Sequence, residues 1–265
     1  MPNKDGRAIA RENEMRVLRA LHRFGWLRTR DLAALVWQHW ARNPARELCL
    51  KSPEPTSAGL RMAQRTLRRL REKRWVLDNR APDGSIIYAL SETGARQLSA
   101  MGIRATSGKD LVRAFSSSHF RHRCIANEIA ISGIRQGFKV ATERGIAQGR
   151  WPGGETGIAG KKPDVLLRGD GAVWWVEVER SRKNAKDYTR LLNWLSSIAR
   201  DATQSGGPAL LGTELRWAKV VFICTEAFRQ KLMRDLAARG WQQSYFAALL
   251  SFETTLYRFE DILFP

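Results

Sequence analysis

The sequence predicts a chain of two domains that mixes helices and strands: α+β over residues 1–112, and an α/β sandwich on a mixed sheet over residues 113–265. Three observations carry that prediction. The first domain strings together stretches with apolar residues at helical spacing and then shows a hairpin signal, "WVLDNRAPDGSIIYAL", with Asp83-Gly84 in the turn. The second contains two strand-like runs joined by Asp170-Gly171, within "KKPDVLLRGDGAVWWVEVERS". It also contains "WAKVVFICT", a short apolar run between two helical patterns, which reads as a central buried strand. With 265 residues, 43% of them hydrophobic, the chain can bury one large core or two small ones.

Taken in order, "AIARENEMRVLRALHRFGWL" sets Ile9, Met15, Leu18, Leu21 and Phe24 near one helical face, and Gly25 is its expected stop. "TRDLAALVW" opens with Thr29 as the expected N-cap and Asp31 in the first turn, where an acid suits the helix dipole. "ARNPARELCLKSPEPTSAG" is rich in Pro and polar residues and reads as a loop insertion. "LRMAQRTLRRLREKRW" carries Leu60, Ala63, Leu67 and Leu70 as one apolar stripe. Arg61, Arg65, Arg68, Arg69, Arg71, Lys73 and Arg74 fill the rest of that helix, opposed by Glu72. The hairpin follows, then a last helix in "SETGARQLSAMG".

Two helices, a basic third helix and a hairpin are the order of a winged helix-turn-helix. In that fold the third helix enters the major groove of double-stranded DNA, and a wing residue such as Arg80 reaches phosphate. The expected DNA contacts are therefore Arg61, Arg65, Arg68, Arg69, Lys73 and Arg80. The alternative for the same residues is a solvated basic face on a structural bundle.

A linker is expected near residues 104–116, "RATSGKDLVRAFS". "HFRHRCIANEIAISGIRQG" then has a helical pattern through Cys124, Ile125, Ile129, Ile131 and Ile134, ending near Gly137. "FKVATERG" reads as a strand. "NAKDYTRLLNWLSSIAR" reads as an amphipathic helix with Tyr188, Leu191, Leu192 and Leu195 toward the core. "EAFRQKLMRDLAARG" is a further helix, and "YFAALLSFETTLY" supplies one or two edge elements.

Charge narrows the partners. Lys and Arg number 45 against 26 Asp and Glu, a formal net charge of +19, and both halves are basic. That balance in a folded chain points to a polyanion, most often nucleic acid. The three cysteines, Cys49, Cys124 and Cys224, are far apart and form no CxxC pair, which argues for a reducing, cytoplasmic setting and against structural zinc. "MPNKDGRAIARENEM" is too charged for a signal peptide, and no apolar run approaches membrane-spanning length. No membrane partner is expected.

Against this basic background, Asp164, Glu177 and Glu179 stand inside strand-like runs. If Asp170-Gly171 is the turn, Gly169 pairs with Ala172, and the register then sets Asp164 opposite Glu177. Opposed residues share a sheet face with Cβ atoms about 5 Å apart, and alternation puts Glu179 on that face too. Three carboxylates in one place repel unless neutralised. A divalent cation with a taste for hard oxygen ligands, Mg²⁺ or Mn²⁺, is the simplest neutraliser. Solvent exposure, or pairing with Lys162, Arg180 or Arg182, is the alternative.

Pro163-Asp164, twelve intervening residues, then Glu177-Val178-Glu179 resembles the PD-(D/E)XK nuclease signature, with Glu179 at the position usually held by Lys. The wider combination is similar to the plasmid replication-relaxation family and to MobC-type relaxases, from about residue 10 to about residue 200. It comprises the winged helix ending in "IYALSETGARQL", then the His122-to-Glu128 stretch "HRCIANE", then "TER", then "PD" and "EVER". The resemblance implies a restriction-endonuclease-like second domain and a metal-dependent cut in the DNA of a plasmid or mobile-element origin. It implies metal ligation by Asp164, Glu177 and Glu179, with a role for His122 and a further acid at Glu128 or Glu143. Lys183 or Lys186 would supply the positive charge that the family's Lys provides. Such a protein would act as a relaxase or endonuclease in plasmid mobilization or DNA replication, alongside DNA-processing partner proteins; a homodimer would suit recognition of a palindromic site.

A covalent tyrosine mechanism needs a His-hydrophobe-His pair on one strand face; His119 and His122 do not provide it, so Tyr188 is expected in the core. The competing function is a non-catalytic winged-helix regulator or accessory protein built on an inactive nuclease-like scaffold.

Overall fold

The computed structural model describes residues 5–51, 53–113, 117–179, 184–203 and 209–255. Helix α1 (Gly6–Phe24) opens at Asp5, whose side chain accepts from the Arg7 N–H, and closes at Gly25 with φ +86°, a left-handed conformation that suits glycine. It buries Met15, Leu18, Leu21 and Phe24, whereas Ile9, expected on the same stripe, is exposed. A three-residue strand β1 (Trp26–Arg28), absent from the sequence reading, runs directly into α2 (Thr29–Val36). Arg28 occupies the N-cap position and its N–H donates to Asp31 at 2.9 Å, so Thr29 is the first helical residue rather than the cap.

Helix α3 (Ser57–Glu72) is capped by Thr56 Oγ1, which accepts from the Gly59 N–H. It buries Ala63, Thr66, Leu67 and Leu70, with Leu60 half-buried. Strands β2 (Val76–Arg80) and β3 (Ile86–Leu90) pair antiparallel, and β1 pairs antiparallel with the other edge of β3. Helix α4 (Glu92–Ser99) starts at Ser91, and its Gly94 lies so close to the Trp75 carbonyl that a Cβ would collide with it.

Residues 104–113 of the stretch expected to be a linker are packed structure, and residues 114–116 lie outside the described residues. Ser107 Oγ and the Gly108 N–H both donate to the Leu90 carbonyl, and α5 (Lys109–Arg113) buries Val112 in a cluster with Trp26, Ala89, Phe120 and Cys124. Helix α6 (Ser117–Arg135) belongs to the same cluster. Phe120 stacks on Trp26 with centroids 5.7 Å apart, Arg123 donates to the Phe24 carbonyl at 2.7 Å, and Asn127 donates to the Trp26 carbonyl. The chain accordingly divides into two compact units, one of residues 5–40 and 53–135, the other of residues 41–51 and 136–255. The boundary expected at residue 112 falls inside the first unit.

In the second unit, residues 41–51 are tied down through Gln136: its carbonyl accepts from the Ala45 N–H, and its side chain bonds both backbone groups of Cys49. Strand β4 (Lys139–Ala141) is shorter than expected because Thr142 caps a short helix, α7 (Glu143–Ala147), its hydroxyl accepting from the Gly145 N–H. Then come β5 (Val165–Gly169), β6 (Ala172–Glu179), α8 (Ala185–Thr203), β7 (Arg216–Cys224), α9 (Glu226–Ala237), α10 (Gln243–Leu249) and β8 (Leu250–Glu253). The sheet order is β4-β5-β6-β7-β8. β4, β5 and β6 are antiparallel neighbours, while β6, β7 and β8 run parallel, so the sheet is mixed; the central, wholly buried strand is β6, and β7, expected there, lies between β6 and the edge strand β8 and is buried from Val220 to Cys224. One face packs on α8 through a tryptophan cluster: Trp175 is fully buried, 4.6 Å from Trp194 and 5.9 Å from Trp151 between ring centroids. The fold class is thus α+β. No helix among the described residues is long and apolar enough to cross a membrane.

Candidate functional site

The β5–β6 hairpin closes on Asp170 and Gly171 at φ +49° and +72°, the two positive values that a type I′ turn requires. Gly169 pairs with Ala172, the ladder runs to Val165 opposite Val176, and the Asp164 N–H donates to the Val176 carbonyl at 3.0 Å. Asp164 is therefore level with Glu177, as the register argument anticipated. Trp175, Glu177 and Glu179 alternate onto one face of β6, the face that also buries Phe222 and Cys224 of β7. Glu177 and Glu179 are buried and Asp164 is half-buried.

Asp164 and Glu177 are both held by protein partners. Asp164 Oδ2 accepts from the Val178 N–H at 2.7 Å, extending the ladder with a side chain. Glu177 Oε1 accepts from Trp175 Nε1 at 2.5 Å, and Glu177 Oε2 lies 2.5 Å from Lys161 Nζ. Burial pushes the Glu177 carboxyl up from its ordinary range; Lys161 opposes that, while Asp164 and Glu179 push it further up. The field of Glu179 also reaches Cys224, whose thiol is pushed up to about 12 by burial first, then by Glu179 and Glu226.

Lys161 is the residue that sequence reasoning missed. The cations considered beside the acids were Lys162, Arg180 and Arg182, but Lys162 is exposed and the two arginines lie outside the described residues. Lys161 reaches Glu177 because the chain folds back at Ala159-Gly160, a turn that strand alternation does not reveal. Lys183 likewise lies outside the described residues, and Lys186 is exposed near the start of α8.

Other expected members fall elsewhere. Glu128 belongs to the first unit, where it pairs with Arg28 at 2.6 Å, and Arg28 in turn holds Asp31 at 2.8 Å. His122 is half-buried on α6, also in the first unit. Glu143 remains in the second unit. It is the first residue of α7, just past the end of β4. The Tyr188 hydroxyl donates to Asp235 at 2.8 Å beneath the Lys231 ammonium; burial and Asp235 push the phenol above its ordinary value, which makes it a poor nucleophile.

Carboxylates are the right donor type for Mg²⁺ or Mn²⁺, and one or two of them suffice for Mg²⁺ when water and phosphate oxygens complete the shell. Asp164 and Glu177 are donors of that type; both Glu177 oxygens already have protein partners, and among the described residues no group of three His, Cys, Asp or Glu is arranged around a single ion position.

The basic helix splits into two faces. Arg61, Arg65 and Arg68, at i, i+4 and i+7, are exposed together, and Arg80 is exposed at the end of β2. Arg69 and Lys73 turn the other way. Lys73 Nζ bonds both oxygens of buried Glu14 at 2.9 and 2.8 Å, and Arg69 Nε lies 3.4 Å from the same carboxylate. These two expected DNA contacts tie α3 to α1. Arg71 ties α3 to β2 through Asp78 at 3.0 Å.

Compared with protein-family models, with curated proteins and with solved structures, the chain matches none of them.

Proposed function

We propose that this chain binds double-stranded DNA through a winged helix and cuts or nicks it with a divalent metal, in the transfer or replication of a plasmid or other mobile element. The observation that carries the reading is the hairpin that sets Asp164 level with Glu177 and brings Glu179 onto the same sheet face, in a chain of net charge +19. The DNA-binding half is supported by the element order α1-β1-α2-α3-β2-β3 and by the exposed Arg61, Arg65 and Arg68 on α3. Guanidinium groups about one helical turn apart match the spacing needed to bridge successive phosphates.

In the second unit, Asp164 and Glu177 are the proposed ligands of Mg²⁺ or Mn²⁺, with Glu179 as a further ligand or a proton acceptor for the attacking water. A bound divalent ion supplies Lewis-acid polarisation of the phosphate and a lowered pKa for water. The Val178 N–H fixes the orientation of Asp164, and Trp175 Nε1 fixes that of Glu177, so neither needs to reorganise fully on loading.

The test is calorimetric titration of Mn²⁺ into the wild-type protein and Asp164→Ala, with both assayed on supercoiled plasmid. Uptake and nicking by the wild type, both lost in the variant, support the reading. A second reading, a DNA-binding regulator or accessory protein on an inactive scaffold, is favoured by one observation. Both oxygens of Glu177 and one of Asp164 already have protein partners, which also satisfies a purely structural strand end. DNA binding without metal uptake or cleavage selects it.

A further inference from the structure

We infer that the end of the second unit's sheet away from Asp164 and Glu177 is a binding site for the phosphate backbone of nucleic acid, formed by Lys139, Arg168 and Arg216. The inference rests on the DNA-binding half of the proposed reading and on none of its metal chemistry.

Strand register brings the cations together. Lys139 of β4 pairs with Arg168 of β5. Directly opposed residues share a sheet face with Cβ atoms about 5 Å apart, and like charges placed so repel. Arg216 opens β7 at the same end: its N–H donates to the Gly171 carbonyl at 2.9 Å, and its Nη1 lies 3.5 Å from where a Cβ on Gly171 would stand. Three of the five strands thus carry a cation to one end of the sheet. The acids occupy the other end. Asp164 precedes Arg168 by four residues, about 13 Å along an extended strand, so the two groups are separate features of one face.

The backbone under these cations is fixed from behind. A Cβ at Gly169 would collide with Pro44, and Phe138 packs edge-on against Trp174 with centroids 4.9 Å apart. Lys139 and Arg216 are exposed and Arg168 is half-buried, so their heads remain open to a ligand.

What separates this cluster from an ordinary solvated surface is the lack of counter-charge. Exposed cations on the helices of the same unit stand beside acids: Arg190 by Asp187, Arg229 by Glu226 and Lys231 by Asp235. Among the described residues Lys139, Arg168 and Arg216 form no ion pair and no side-chain hydrogen bond, although the acids Asp170 and Glu214 are close to them in the chain. A repulsive cross-strand pair without an acid is a cost that a bound polyanion removes. In a chain of net charge +19 with an exposed arginine row on α3, the polyanion of matching chemistry is nucleic acid, held here through phosphate without reading its bases.

The experiment compares the wild-type chain, Lys139→Gln with Arg168→Gln, and a control, Arg200→Gln with Arg234→Gln, which removes the same charge from exposed positions on α8 and α9. Each is titrated by anisotropy against a labelled mixed-sequence duplex at several salt concentrations and unfolded thermally without DNA. The K139Q/R168Q chain should lose about tenfold in affinity at moderate salt, and the slope of log affinity against log salt should fall by about 2. Its unfolding temperature should hold or rise by about 1–2 °C, because the variant relieves a repulsion. Loss of affinity without loss of stability is the signature of a binding site. Arg216→Gln alone should lower the slope by about 1. An unchanged slope in K139Q/R168Q overturns the inference. So does an equal fall in the control, which makes net charge the cause, and so does a lower unfolding temperature with the slope intact, which makes the pair a structural element. A wild-type chain that binds DNA but neither takes up metal nor nicks leaves the inference standing. One that does not bind DNA overturns the DNA-binding reading, and this site falls with it.

Discussion

Glu14 and Glu177 are both buried glutamates with a lysine on them, and they differ in everything else. Glu14, in the first unit, has Lys73 across both oxygens and Arg69 nearby, so cations converge on one acid. Glu177, in the second, has Lys161 on one oxygen and two further carboxylates close enough to push its pKa up. A buried acid surrounded by cations holds a fold together. A buried acid crowded by other acids is held at a cost in stability that packing elsewhere must offset, and such places are where function concentrates.

The largest expected effect tests the cationic side. If Arg61, Arg65 and Arg68 touch phosphate while Arg69 and Lys73 hold Glu14, the two sets respond differently. The triple Arg→Ala variant should lose a hundredfold or more in DNA affinity at moderate salt, and the slope of log affinity against log salt should drop by about 3. Its unfolding temperature should barely move. Arg69→Ala with Lys73→Ala should do the reverse, lowering the unfolding temperature and leaving the salt slope nearly intact. Filter or anisotropy titrations at several salt concentrations read both, and equal slopes in the two variants would erase the distinction between the faces.

Next in size are the glutamates themselves. Glu14→Gln leaves Lys73 and Arg69 without their acid; because both are about 40% exposed they recover some hydration, and the expected loss is about 2 kcal/mol rather than the larger cost of a fully buried pair. Glu177→Gln should carry the opposite sign at neutral pH, because it removes a charge that burial and two neighbouring carboxylates disfavour. The pH dependence follows. The folded pKa of Glu177 lies above its reference of 4.5, so the folded chain binds more protons than the unfolded one in that window. The Glu177 contribution is fully present below pH 4.5 and is lost as pH rises through the folded value. Wild-type unfolding temperature should carry that downward component, and Glu177→Gln should flatten it.

Much of this was legible in the sequence, for identifiable reasons. Asp170-Gly171 dictates a type I′ turn, and a two-residue turn sets every later pair, so the alignment of Asp164 with Glu177 followed from counting. The helices announced themselves by spacing and caps, as at Gly25. What escaped depends on contacts between distant residues. The split of the α3 cations needs Glu14, 59 positions from Lys73 in the chain. Lys161 needs a fold-back at Ala159-Gly160, and strand β1 is too short to show alternation. The boundary moved because α6 finds its partners in Phe24 and Trp26, about a hundred residues earlier.

The smallest expected effect reads the local field in each unit through a buried cysteine. Cys124 and Cys224 are both buried, and burial is the first cause of the raised pKa in each. Beyond burial they differ. At Cys124 the downward pull of Arg28 comes ahead of the upward push of Asp31 and Glu128, whereas at Cys224 the upward push of Glu179 and Glu226 comes ahead of the downward pull of Arg229. Thiolate is the reactive form, so alkylation at pH 8 to 9 should label exposed Cys49 quickly and the other two slowly. Glu179→Gln removes one source of negative potential at Cys224 and none at Cys124. Its alkylation, followed by peptide mass spectrometry, should quicken several-fold at Cys224 and stay unchanged at Cys124. Equal acceleration at both sites would mean that the substitution loosened the fold. No acceleration at either would mean that burial alone governs Cys224, and that the carboxylate crowding at the end of β6 is weaker than its geometry indicates.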